Sequence, residues 1–153
     1  MQTTESPTTG DPSDVDNLYT WTTTDITPDG TAFTGFLGAL NNCYLAAAGP
    51  PTVVGGLGGH CDWRLPTIDE LNGIIDLNAR GCPGSCINPL TCPGPCIDQT
   101  FGPTKNLYWS STTEGGLPRA ALIGVFASGS STIGTVDAFK SESHYVRAVR
   151  GGL

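Results

Sequence analysis

Six cysteines in a chain of 153 residues constrain this fold more than any other feature. Four of them stand in a tandem repeat. Cys82-Pro-Gly-Ser-Cys86-Ile-Asn-Pro-Leu-Thr is followed by Cys92-Pro-Gly-Pro-Cys96-Ile-Asp-Gln-Thr-Phe, and the two decapeptides match at both cysteines and at Pro, Gly and Ile. A duplicated two-cysteine unit closes most simply on itself, giving Cys82–Cys86 and Cys92–Cys96 and leaving Cys43 for Cys61. The short spacing also suits a zinc-binding pair. Against zinc, the pairs are close together, each contains proline, and no histidine lies near. Disulfides are therefore the preferred reading, and they imply a secreted, periplasmic or cell-surface location. Met1 is followed by polar and acidic residues rather than a basic start and an apolar core. The chain is thus expected to be the mature part of a longer precursor.

A length near 150 favours one domain with a sizeable core. Twenty-one Gly and 12 Pro point to many tight turns. No apolar run is long enough to span a bilayer. The net charge is −7, which argues against a generic nucleic-acid binder. That charge is uneven. Residues 1–29 hold six acids and no base, residues 30–59 hold no charge, and residues 60–153 hold eight acids against seven bases. A local basic patch in the last part stays compatible with the total.

Residues 1–16 are expected to form a flexible acidic tail, and residues 17–153 the domain. Leu18–Thr22 reads as a strand. Thr31–Ala48 places Phe33, Phe36, Leu37, Leu40, Tyr44 and Leu45 at helical spacing, with a stop at Gly49-Pro50-Pro51. Residues 49–60 read as a Gly-rich loop. In Trp63–Asn78, Thr67 and Glu70 form a capping box, and Ile68, Leu71, Ile74 and Ile75 mark one buried face. Residues 82–96 read as a disulfide-pinned loop. Leu107–Thr112, Arg119–Ala127, Thr132–Phe139 and Tyr145–Arg150 read as strands, with a turn at Ser128-Gly129-Ser130. The fold class is α+β: two helices, a small twisted antiparallel sheet and long pinned loops.

Four blocks then carry a family resemblance: Asp62-Trp63-Arg64-Leu65-Pro66-Thr67-Ile68-Asp69-Glu70-Leu71; Cys96-Ile97-Asp98 with Phe101-Gly102-Pro103-Thr104; Tyr108-Trp109-Ser110-Ser111-Thr112-Thr113; and Tyr145-Val146-Arg147-Ala148-Val149-Arg150. In this order they resemble the domain family at the C-terminus of the Legionella collagen-like adhesin, over roughly residues 16–152. The resemblance implies a C-type-lectin-like fold displayed outside the cell. It also implies binding as the usual task, with sulfated glycosaminoglycan as a ligand class and a homotrimer as the assembly. The same fold is shared by formylglycine-generating enzymes and by the variable proteins of diversity-generating retroelements, so both are alternative readings. This chain departs from the adhesin pattern in being acidic, in its extra cysteine decapeptide and in having no Gly-X-Y segment.

The motif residues have structural readings beside the functional ones. Asp62, Trp63 and Arg64 are expected to pack and to satisfy backbone groups. Tyr108 and Trp109 are expected in the core, the alternative for Trp109 being a sugar-stacking shelf. Arg147 and Arg150 alternate on the last strand, so one points inward, with Asp62 or Asp98 as its expected carboxylate. Lys105, Arg119, Lys140 and His144 are the candidate cationic ligand contacts, on a shallow surface built by residues 105–146. A solvated surface is the alternative for Arg119, Lys140 and His144. No catalytic residues are assigned, since no Gly-x-Ser-x-Gly elbow or phosphate-cradling loop is present. No cofactor is assigned either. Calcium stays open, but Asp137, Ser141 and Glu142 are too few to define a site. The expected partner is a glycan or a protein on a cell or matrix surface.

Overall fold

The computed structural model describes residues 11–12, 14–46, 53–76, 78–79, 96–101, 105–126 and 134–151. Its centre is a three-stranded antiparallel sheet of β5 (Leu107–Thr113), β6 (Ala120–Val125) and β7 (Gly134–Phe139) in that order. Three two-stranded ribbons surround it. The first joins β1 (Tyr19–Thr20) to β8 (Ser143–His144), the second joins β2 (Cys43–Leu45) to β3 (Val53–Gly55), and the third joins β4 (Trp63–Arg64) to β9 (Val149–Arg150). Two short helical segments complete the described frame. The first, α1, is π-wound over Ala32–Leu37 and α-helical over Gly38–Leu40. The second, α2, is Ile68–Asn72. The mixed class with small antiparallel sheets agrees with the sequence reading.

Several boundaries differ from that reading, each for a local reason. The helix expected over Thr31–Ala48 ends at Leu40. The Asn41 side chain donates to the Trp63 carbonyl (2.7 Å) and accepts from its N–H (2.8 Å). The chain then turns out into β2, so Cys43–Leu45 is a strand and not helix. Part of the expected loop 49–60 is the strand β3 and a 3₁₀ turn, Leu57–Gly59. The helix capped at Thr67 starts as expected but ends at Asn72, and before it Trp63 and Arg64 pair with Arg150 and Val149. Beyond it, Ile75 bridges to Ile97. The single strand expected over Tyr145–Arg150 is divided: Tyr145 makes a parallel bridge to Tyr108, and only Val149–Arg150 remains paired as β9. The Ser128-Gly129-Ser130 turn lies outside the described residues.

The domain also starts earlier than the expected tail boundary. Asp14 and Val15 are buried, and the chain turns there through Asp14 N–H to Asp11 O and Asn17 N–H to Asp14 O. Apolar side chains of α1, β5 and β6 form the larger core, with Trp109 wholly buried at its centre. Ile68, Leu71, Tyr108 and Phe126 form a second cluster beneath α2. Burying aromatic and branched chains of this size contributes roughly 1.5–3 kcal/mol each.

Cys43 and Cys61 form the expected disulfide, closing a loop of sequence separation 18 with Cα atoms 5.9 Å apart. Gly56 lies against it with φ 68°, where a Cβ would stand 2.1 Å from the His60 carbonyl oxygen and 2.7 Å from Cys43 Sγ. Only glycine fits there. Cys96 is also disulfide-bonded; Cys82, Cys86 and Cys92 lie outside the described residues.

Candidate functional site

The residues that stand out most in the sequence build a closed polar frame. Thr67 caps α2: its hydroxyl accepts the Glu70 N–H (3.2 Å), and Glu70 in turn accepts the Thr67 N–H (2.8 Å). Glu70 also grips Arg64 through two parallel bonds of 2.7 Å. Such fork-to-fork pairs fix geometry as well as charge. The Arg64 guanidinium, followed by the Thr67 N–H, holds the Glu70 carboxyl down to about 2. Arg64 also donates to the Leu65 and Gly151 carbonyls, tying β4 to the end of the chain.

The Tyr-Trp-Ser-Ser-Thr segment meets this frame from below. The β5–β6 register shifts between Trp109 and Thr113. Inside that bulge the Ser110 hydroxyl donates to the Leu122 carbonyl (2.6 Å). The bulge aims the next residues at α2: Ser111 N–H donates to the Pro66 carbonyl (2.8 Å), and Thr112 Oγ1 accepts the Ile68 N–H (3.0 Å). Trp109 Nε1 donates to the Tyr19 carbonyl and Trp21 Nε1 to the Ser110 carbonyl. The indole N–H groups of these two buried rings thus bond inside the fold.

A family model for the Lcl C-terminal domain matches residues 13–150. The chain belongs to this family. No curated protein matches it, and no solved structure matches it. Within the Lcl C-terminal domain seen here, the described residues of the blocks that carry the resemblance bond to one another: Trp63 pairs with Arg150, Ser111 N–H donates to the Pro66 carbonyl, Trp109 N–H to the Tyr145 carbonyl, and Arg147 to the Phe101 carbonyl.

Among the described contacts the predicted residues come together in two pairs, Trp109 with His144 and Arg119 with Lys140. Trp109 is wholly buried, so the sugar-shelf alternative is set aside in favour of the core reading. Lys140 is 2% exposed. Its ammonium donates to Thr113 Oγ1 (2.9 Å) and the Ile26 carbonyl (3.4 Å), and lies 3.9 Å from the centre of the Trp21 ring. Burial pulls its pKa below the ordinary lysine value. Lys140 thus acts as an internal tie and does not present its charge at the surface. His144 sits edge-on to Trp109 at 4.6 Å, with Nε2 3.3 Å from Glu142. Its burial lowers the imidazole pKa, against the pull of Glu142. Lys105 pairs with Asp16 at 2.5 Å. Arg119 is well exposed and stands 3.6 Å from Asp25.

Arg147 is the more covered of the two arginines, although the strand expected to turn one of them inward by alternation is divided here, and the partners of Arg147 differ from those expected. It donates to the Phe101 carbonyl (2.8 Å) and stacks 4.9 Å from the Tyr108 ring centre. Neither Asp62 nor Asp98 holds it; both are exposed. The guanidinium covers the flat face of Tyr108, a cation–π contact.

Sequence reasoning missed two features. The first is the Arg64–Glu70 pair, whose only signal was an arginine placed just before a capping box. The second is a cluster at one end of the sheet. There the 23–28 loop, the 114–119 turn and the end of β7 meet: Lys140 N–H donates to the Arg119 carbonyl, while the Lys140 ammonium reaches Ile26. These three segments expose Ile26, Leu117 and Phe139 beside the Arg119–Asp25 pair. Asp29 stiffens the loop by accepting from Thr23 N–H, Thr24 Oγ1 and Thr22 Oγ1. With the Thr23 N–H as the leading cause, its carboxyl is held down to about 2. Among the described residues, no three His, Cys, Asp or Glu side chains converge as metal ligands, and no helix is long and apolar enough to cross a membrane.

Proposed function

We propose that this chain is an extracellular, adhesin-type recognition domain that binds a protein or glycan on a cell or matrix surface. Family membership supports the adhesin class, and the disulfides support an oxidising compartment. The observation that carries the proposed contact surface is the sheet end. Three large apolar side chains and an arginine stand exposed on segments that a buried lysine ties together from beneath. Apolar anchors with an arginine among them suit a protein partner better than a polyanionic glycan, and the pairing of Arg119 with Asp25 points the same way. The role is binding, not catalysis, and it calls for no cofactor. A C-type-lectin-like topology and a homotrimer belong to the same proposal. Several copies on one assembly would turn a weak single contact into firm attachment.

The test is binding of the purified, oxidised chain to panels of glycans and matrix proteins, at low and high salt. The reading expects a protein ligand whose binding falls at least about tenfold, or 1.4 kcal/mol, in Phe139→Ser/Arg119→Ala. Binding that is indifferent to both changes would remove the sheet end from the account. A ligand found only among sulfated glycans, and lost at high salt, would replace the protein reading with an anion-binding one.

A further inference from the structure

A second site follows from a cavity of about 450 Å³ above the polar frame. Its walls come from α1 (Phe36, Leu40), from Leu57 and Trp63, from Leu71 and Ile74, and from Phe101 and Val149. Three charged residues, Asp11, Glu70 and Arg147, also line it, and the latter two are engaged elsewhere. Glu70 holds Arg64, and Arg147 holds the Phe101 carbonyl and covers Tyr108. The space is therefore presented mainly with carbon. Protein interiors normally close such volume, and an apolar void near 150 Å³ already takes up a benzene-sized guest. Here the walls are kept apart by fixed elements: the β4–β9 pairing, the bonds from Asn41 to the Trp63 backbone, and the two-bond grip of Arg64 on Glu70.

We propose that this cavity binds a neutral apolar group, of roughly two-ring aromatic size, in the volume range typical of small-molecule sites. It is distinct from the sheet-end surface, and it depends on neither the Arg119 charge nor the identity of the adhesion partner. Trp63 is a built-in reporter. The chain has three tryptophans; Trp21 and Trp109 are buried in the core, whereas Trp63 is only partly covered and lines the cavity.

The experiment is a titration of the full, oxidised chain with N-phenyl-1-naphthylamine, a neutral fluorescent probe, with indole as competitor. The expected result is saturable binding at one probe per chain, quenching of Trp63 emission that is absent in Trp63→Phe, displacement by indole and no dependence on salt. Ala148→Phe, which fills the cavity from its wall, is expected to weaken binding at least about tenfold with the circular dichroism spectrum unchanged. Should that variant fail to fold, Leu57→Ser decides alone, through a loss of about fivefold at a partly exposed wall position. No saturable binding to the folded chain, or binding that the folded variants leave intact, overturns the proposal. Both results are independent of whether the sheet end recognises a protein.

Discussion

The Arg64–Glu70 frame and the sheet end of Ile26, Leu117, Arg119 and Phe139 share one small domain but use their side chains in opposite ways. In the frame, the Thr67 cap, the Arg64 guanidinium and the Ser110 hydroxyl make their described bonds to fixed partners inside the fold. At the sheet end, the Arg119–Asp25 pair is long and largely open to water, and Ile26, Leu117 and Phe139 are only partly covered. The residues most recognisable in the sequence therefore build a rigid support. The contact surface falls to positions that carry no motif at all. Rigid support beneath mobile or variable contacts is how loops carry recognition in general.

Substitutions can break or sharpen this contrast. The largest effect is expected on the frame side, at the core it shares with β5. Trp109→Ala should cost about 3–5 kcal/mol in denaturant unfolding. A near-neutral result would return Trp109 to the surface as a stacking residue. Next, Cys43→Ala/Cys61→Ala should cost about 3 kcal/mol on the loop-entropy account, read as a lower melting midpoint that reducing agent no longer shifts through this pair.

Glu70→Gln comes third. The Glu70 carboxyl is held at about 2 against an ordinary 4.5, so its contribution is complete above about pH 4.5 and disappears as pH falls through about 2. The side chain is 36% exposed, so solvent screening limits the effect to about 1 kcal/mol. The variant should lose that amount at neutral pH and show a flatter stability profile between about pH 4.5 and 2. An unchanged profile would mean that the pair does not hold in solution. Smallest is Arg119→Ala, expected within about 0.5 kcal/mol of the parent in stability while binding falls. A large loss of stability there would make Arg119 part of the frame.

Much of this architecture was legible in the sequence. Thr67 and Glu70 announced the start of α2, because a capping box is a local arrangement that needs no distant partner. The β5–β6–β7 strands were legible as runs of strand-forming residues bounded by turns, and Cys43 with Cys61 from the repeat logic of the remaining cysteines. What was not legible depended on contacts far along the chain. Asn41 stops α1 by bonding Trp63, twenty-two residues on, so helical spacing through Leu45 misleads. Tyr145 bridges Tyr108 and divides the last strand. Lys140 read as a surface cation, because nothing local shows that Trp21 and Ile26 close over it. His144 packs edge-on to Trp109, a contact no local pattern shows. A cavity whose walls come from segments scattered between Asp11 and Val149 has no sequence signature.

The central claim is that recognition belongs to the exposed sheet end while the motif residues only hold it in place. The most direct measurement is the affinity of Phe139→Ser/Arg119→Ala for the protein ligand found on the matrix panel, beside its melting midpoint. The account predicts a loss of at least about tenfold in affinity with the midpoint unmoved. Full affinity in that variant, with Glu70→Gln abolishing binding while still folded, would contradict it.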